Sequence, residues 1–260
     1  MCLLVLAWRA HPRYRLVLAG NRDEFHDRAA APLAPWPAPP LLAGRDLKAG
    51  GTWLALDAAR RVGVVTNYRE AQRPRTGAPS RGDLIPRFLS GTAGPAAYLA
   101  ELGAAATAYS GFNLLLGDTN SLWYGSNRTL PFARELAAGV HGLSNELLDS
   151  PWPKLLRVRR AFEAWLAAPA PAQSVSALFA MLADRTQAAV GSVLAASGLP
   201  AELERVLSAP FVLDPVYGTR CSSVLLVAAD GGVTFIERRF DAQGAASGES
   251  EFQLNPDEWP

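Results

Sequence analysis

The chain has 260 residues, 49% of them hydrophobic and 19% charged, and its 25 Lys and Arg against 24 Asp and Glu leave a formal net charge of +1. That balance offers no electrostatic footprint for nucleic acid or an anionic membrane, and the apolar content argues against large-scale disorder. No stretch reaches the about 18 unbroken apolar residues of a membrane span, and the opening "LLVLAW" lacks the basic leader of a signal peptide, so a soluble cytoplasmic protein without stable membrane insertion is expected.

Residues 3–8 and 14–19 are short apolar runs either side of a polar, Pro-containing turn around His11, the pattern of a hairpin. Residues 29–43, "AAAPLAPWPAPPLLA", are too rich in Pro for a ladder or a helix and are expected to be an extended surface loop. "GTWLALD" and "RVGVVTNYR" predict a second hairpin turning at Ala58–Arg60. A helical block, interrupted by Gly and Pro, starts at "APSRGDLIPRFL" and reaches roughly residue 104. "GFNLLLGDTNSLWYGSNR" reads as strand, Gly-Asp turn, strand.

The next helices carry clearer signals. Ser150 is placed to cap one with Pro151 at its first position, so that Leu155, Val158, Phe162 and Trp165 share a face. Ser174 is placed to cap another that turns Val175, Leu178, Phe179 and Leu182 inward. Asp230-Gly231-Gly232 then joins two final strands, "CSSVLLVAA" and "GVTFIERRF". Hairpins separated by helical blocks predict an α+β fold, with two antiparallel sheets stacked and helices outside, in a single domain over residues 1–260. Alternating βα units are absent, which argues against a Rossmann or barrel fold.

Two cysteines so far apart as Cys2 and Cys221 make no disulfide scaffold, and Cys2 is read as a free thiol. Initiator Met is generally removed ahead of a small residue, which would put an α-amine and a thiol on one residue. A thiol is only a few per cent ionised at neutrality, and an amine of pKa about 7.7–8 is suited to taking its proton. The plain alternative is a small apolar residue beginning a buried strand. With the hairpin centred on His11, residue 2 falls opposite roughly residue 20, and "GNRDE" emerges beside the chain's start. Asp23 or Glu24 would hold the α-ammonium there, and Arg22 would lower the thiol pKa or grip an anionic substrate. Asn21, Arg22 and Glu24 are the substrate-binding candidates. The alternative for this run is a charged turn in solvent.

Taken together, "MCLL", "AGNRDEF", "GGTWLAL", "GVVTNYRE", "GFNLLLGD", "HGLSNELLDSPWPK" and "YGTRCSSVLL" resemble, in order and over nearly the whole chain, the NRDE proteins, also called the transport and Golgi organization protein 2 family. That family's layout in turn resembles the N-terminal-nucleophile hydrolases with a cysteine nucleophile, such as choloylglycine hydrolases and penicillin V acylase. The resemblance implies a four-layer αββα sandwich and a hydrolase acting on an amide or thioester of a small or amphipathic acyl substrate. It implies Cys2 as nucleophile, Asp23 as the amine's partner, Asn67 and Asn145 as oxyanion donors, and Arg220 as the late arginine of those enzymes. Those amidases carry an Arg three residues before the Asp, where this chain has Gly20, with Arg22 displaced by two. Read without the resemblance, Asn67 and Asn145 are turn formers and Arg220 is half of an ion pair.

NRDE proteins are also associated with haem movement and with lipid or acyl-CoA metabolism, which implies a second class of function: a non-catalytic carrier or chaperone for an amphipathic ligand. No cofactor is required by the hydrolase reading; haem enters only as a bound ligand, held by Cys2 or by His11, His26 or His141. Trp36, Trp53, Trp123 and Trp152 would line an apolar pocket or simply pack the core. His and Cys are too few and too widely spaced for zinc. The expected partner is a small or amphipathic molecule, and the oligomeric state is left open.

Overall fold

Apolar runs that do not alternate with polar residues call for burial on both faces of a strand, and Leu3 to Trp8 are all buried. The computed structural model describes residues 2–70, 77–189 and 199–260. In chain order its elements are β1 (Cys2–Trp8), β2 (Tyr14–Phe25), β3 (Ala30–Pro37), β4 (Pro40–Asp46), β5 (Leu54–Asp57), β6 (Val62–Asn67), α1 (Leu84–Ser90) and α2 (Pro95–Ala105). There follow β7 (Phe112–Gly117), β8 (Leu122–Ser126), β9 (Ala133–Glu135), β10 (Gly139–Leu143), α3 (Pro153–Ala167), α4 (Val175–Leu182), α5 (Ala201–Leu207), β11 (Tyr217–Ala228), β12 (Val233–Phe240) and β13 (Ala246–Leu254). The protein is therefore α+β, with two antiparallel sheets.

The chain divides into two compact units, Met1–Asp27 with Ala138–Pro256, and Arg28–Ala137 with Asp257–Pro260. The first is a six-stranded sheet in the order β10-β1-β2-β11-β12-β13. Leu3, Val5, Ala7, Val17, Ala19, Val224 and Leu226 stand on one face and form a core with Trp152, Leu155, Val158, Phe162 and Trp165 around α3, and Leu178, Phe179 and Leu182 of α4. The alternate residues Leu6, Leu18 and Leu225 are buried as well. The expected inward faces of both helices are thus correct. Ser174 caps α4 as expected, its side chain accepting from Ala177 N at 3.2 Å. The start of α3 differs: Trp152 is its N-cap and Pro153, not Pro151, takes the first turn. Either Pro satisfies the N1 preference, so local chemistry alone does not choose between them.

The second unit is a seven-stranded meander in the order β3 to β9. Leu84, Ile85 and Phe88 of α1 and Leu99 of α2 pack on one face of it, against Leu41, Ala43, Ala55, Leu114 and Leu116. Here residues 29–43 depart from the expected loop, forming β3 and part of β4, paired from Ala30↔Asp46 to Pro37↔Pro40. The prolines are accommodated because β3 is an edge strand with one neighbour, and the ladder is irregular between Ala31 and Ala34, around Pro32. The hairpin turning at Ala58–Arg60 is present, with Arg60 at φ 61.

Candidate functional site

The first hairpin sets the register of the candidate residues. Cys2 pairs with Arg22 and Trp8 with Leu16, so the partner of residue 2 lies two positions beyond the expected residue 20. A shift of two preserves which side chains share a face, so the core pattern survives it. β2 runs on past the start of β1 to Phe25, held there by β11, whose Tyr217 pairs with Phe25 and Thr219 with Asp23. The "NRDE" run is consequently not a solvent-exposed turn. Asn21, Arg22 and Asp23 are 2%, 6% and 1% exposed. Four consecutive polar residues remain in a central strand because the neighbouring strand and loops supply their partners. Met1 and the Cys2 side chain lie outside the described part of the structure.

Asp23 occupies the helix-covered face, in step with Val17, Ala19 and Asn21. Its Oδ1 accepts from Thr219 Oγ1 at 2.7 Å, and the same Thr219 oxygen accepts from Val212 N at 2.9 Å. The Tyr217 hydroxyl donates to the Asp23 carbonyl at 2.9 Å. Burial pushes the Asp23 carboxyl above its ordinary value, opposed chiefly by the charge of Lys154 and further by the Thr219 hydrogen bond and Arg22. The site therefore holds a carboxyl group out of water with a small set of fixed donors and charges around it.

Asn21 is committed to the protein. Its amide donates to Leu182 O and Pro210 O, both at 2.9 Å, and its Oδ1 accepts from Ser222 Oγ at 2.6 Å. Gly20, where the cysteine amidases carry Arg, has no room for a side chain: a Cβ there would stand 2.8 Å from Leu3 O. Arg22 lies one strand from each cysteine, with Cys2 opposite it on β1 and Cys221 opposite it on β11. The two cysteines, remote in sequence, thus flank one arginine, and Cys221 is a buried thiol. Glu24 is partly buried, its Oε1 accepting from Phe25 N at 3.0 Å.

Arg220 sits at the irregularity in β11 between Thr219 and Cys221. Its Nη1 donates to the carbonyls of Phe25 at 3.1 Å and His26 at 2.7 Å, closing the far end of β2. Asn145 is 2% exposed and follows β10, which pairs with β1. Its Oδ1 accepts from Ser144 Oγ at 3.3 Å. The loop that carries it is fixed by Asp149, which takes φ 62, accepts from Gly142 N at 2.7 Å and meets Arg159 at 3.1 Å. Trp152 Nε1 donates to Glu146 Oε2 at 3.0 Å, tying the loop to the start of α3. Cys2, Asn21, Arg22, Asp23, Glu24, Asn145 and Arg220 all belong to the first unit.

Asn67 ends β6 in the second unit, opposite Phe112, beside a buried chain in which Tyr124 OH donates to Asn113 Oδ1 at 2.7 Å and Asn113 Nδ2 to Thr66 Oγ1 at 3.3 Å. Each histidine has a protein partner: His11 with Gln173, His26 with Asp214 O, His141 with Asp149. Trp36 and Trp152 are core residues, and Trp123 packs against the second core. Among the described residues no group of three His, Cys, Asp or Glu is arranged to hold a metal, and no helix is long and apolar enough to cross a membrane.

Three residues of this neighbourhood escape a reading that looks only for reactive types. Thr219 and Ser222 sit inside "YGTRCSS", where alternation on an apolar strand was interrupted by hydroxyls, and Lys154 ends "SPWPK". Lys154 is 1% exposed, and a buried lysine demands a counter-charge.

The comparisons agree with one another. The model of the Transport and Golgi organisation 2 family matches residues 1–242. The chain is 35% identical to the Transport and Golgi organization protein 2 homolog of Bos taurus and 33% identical to that of Homo sapiens, each alignment covering 92% of both chains. It is 28% identical to the Transport and Golgi organization protein 2 of Drosophila melanogaster, over 91% of both. A match of this length and identity makes the chain a member of the Transport and Golgi organisation 2 family.

Proposed function

We propose that this protein is a cysteine N-terminal-nucleophile hydrolase acting on an amide or thioester of a small or amphipathic acyl substrate, in the cytoplasm and on a four-layer αββα scaffold. The observation that carries the reading is the pairing of Cys2 with Arg22 at the start of β1, one residue from the buried Asp23. Each unit also has helices over a face of its antiparallel sheet, as such a scaffold requires.

In this mechanism removal of Met1 frees the Cys2 α-amine. The amine takes the thiol proton, and the sulfur attacks the substrate carbonyl, forming a C–S bond and an oxyanion. Asn145, which lies in the same unit as Cys2, donates to that oxyanion, such a donor being typically worth about 10²–10³ in turnover. The C–N or C–S bond to the leaving group then breaks, and the ammonium returns the proton to that group. Water attacks the acyl-enzyme, the amine accepting its proton; the C–S bond then breaks, the ammonium returns the proton to the sulfur, and the acid is released. Asp23 orients the ammonium throughout. Arg22 sets the thiol's electrostatics, and the exposed Phe25 and Val216, with Tyr217 against the Phe25 ring at 5.3 Å, offer apolar surface at the same end of β2 for the acyl chain.

The test is intact-mass analysis of protein purified from its native host, before and after treatment with a thiol-reactive electrophile, followed by turnover of acyl thioesters and acyl anilides. Loss of Met1, one adduct on Cys2 and abolition of turnover by Cys2→Ser are expected. Retained Met1 would overturn the hydrolase. Stoichiometric binding of haem or an acyl-CoA without product would instead favour a carrier.

A further inference from the structure

β2 outruns the strand beside it. β1 pairs with it as far as Cys2, opposite Arg22, while β11 follows it to Phe25, so Asp23, Glu24 and Phe25 have a strand on one side only among the described residues. Neighbouring residues of a strand direct their main-chain groups to opposite sides. His26 N donates to Val216 O at 3.0 Å, which sets Glu24 toward β11 and sets Asp23 and Phe25 toward the side on which β1 lies. Thr219, opposite Asp23, agrees: its N–H turns away from β2, to Val212 O at 2.9 Å. An edge of this kind is a template for another extended chain, bound through its N–H and C=O groups.

Here the template is filled from within the chain. Of the four groups that Asp23 and Phe25 offer, three carry a side chain. Asp23 O accepts from the Tyr217 hydroxyl at 2.9 Å, Phe25 N donates to Glu24 Oε1 at 3.0 Å, and Phe25 O accepts from Arg220 Nη1 at 3.1 Å. The same Nη1 takes His26 O at 2.7 Å, so one nitrogen holds the last carbonyl of β2 and the first beyond it. An N–H has a single proton, and the Glu24 bond by itself removes Phe25 as a donor to a partner strand. We propose that Tyr217, Glu24 and Arg220 are specificity-determining residues: they cap the edge of β2 beside Cys2, so that this end of the sheet refuses an extended peptide and admits a non-peptide acyl group held by side chains. Phe25 and Val216, 51% and 62% exposed, supply apolar contact there without main-chain pairing. This rests on the hydrolase reading for the acyl group, though not for the cap.

The experiment is a titration of the ¹⁵N-labelled full chain with the peptide Thr-Val-Thr-Val-Thr, a strand-forming sequence with uncharged side chains, read by the amide shifts of residues 23–25. The unaltered chain is expected to show no shift. The double variant Glu24→Ala, Tyr217→Phe, which uncovers Phe25 N and Asp23 O, is expected to bind the peptide more tightly by about tenfold or more. Peptide-induced shifts at residues 23–25 of the unaltered chain overturn the proposal, as does a folded double variant that binds no better. If the double variant does not fold, Glu24→Ala alone decides through hydrogen exchange: a Phe25 amide that exchanges faster by about tenfold or more supports the cap, and an unchanged rate overturns it. Neither readout uses turnover, so failure of the hydrolase and failure of the cap are separate results.

Discussion

Thr219 Oγ1 sits between two partners, donating to Asp23 Oδ1 at 2.7 Å and accepting from Val212 N at 2.9 Å. It is thereby one of the links that join the end of β2 to the segment leading into β11, beside His26 N donating to Val216 O. Thr219→Val keeps the shape and removes both bonds. Stranding a buried hydrogen-bonding group costs about 1–3 kcal/mol, so a loss in that range is expected in urea unfolding. The loss should shrink as pH falls below the raised Asp23 pKa, where the carboxyl is neutral and the bond is weaker.

The pH dependence has a definite sign. Burial raises the folded-state pKa of Asp23 above its ordinary value, so the native state binds the proton more tightly than the unfolded chain. The Asp23 contribution to stability is therefore largest in acid and falls as pH rises from the ordinary carboxylate range through the raised value. In Asp23→Asn this fall should vanish from the thermal-melting profile across that window. A profile that keeps the same slope would show that another group is responsible.

Asp149 works in the opposite direction. Burial alone would raise its pKa, but hydrogen bonds from His141 and Gly142 N and the charge of Arg159 hold it below the ordinary value. Stability from Asp149 is present above the unfolded-state pKa and is lost as pH falls. Asp149→Asn tolerates the left-handed backbone at φ 62 and removes the charge. It should flatten the acid limb of the stability curve while leaving the fold intact by circular dichroism.

Gly20→Ala tests the close approach of β1 and β2. The added Cβ would meet Leu3 O at 2.8 Å and Leu4 Cδ1 at 2.9 Å, and the first contact is backbone. Overpacking of this kind typically costs about 1–3 kcal/mol, and a lowered melting temperature is the expected outcome. An unchanged melting temperature would mean that the strands separate freely there. The same clash explains why this chain cannot carry an arginine at position 20.

Asn21→Ala separates binding from architecture. Leu182 O, Pro210 O and Ser222 Oγ would lose their partner in a buried setting. Stranding even one such group costs about 1–3 kcal/mol. Stability should therefore fall by at least that amount in denaturant titration. If stability is unchanged and only ligand affinity drops, Asn21 serves the ligand instead.

Much of the secondary structure was legible because its signals are local. Ser174 caps α4 through its own hydroxyl, and Asp230-Gly231-Gly232 turns β11 into β12 within a few residues. Strands β10 and β13 had no such mark. β10 is five residues with two glycines, and it becomes a strand by pairing with β1 from more than a hundred residues away. The Pro-rich segment 30–37 failed as a loop for a related reason: an edge position tolerates proline, and only the assembled sheet says which strand is the edge.

By itself, the sequence determined the apolar runs, the helix faces and the cluster of polar types after the first hairpin, since these follow from side-chain period and turn chemistry along a few residues. Only the tertiary structure decided that Arg22 lies between both cysteines, that Thr219 holds Asp23, and that Lys154 is buried at the start of α3. Those relations join positions far apart in the chain. They depend on strand register and on which helix end is pressed to the sheet, and no local propensity encodes either.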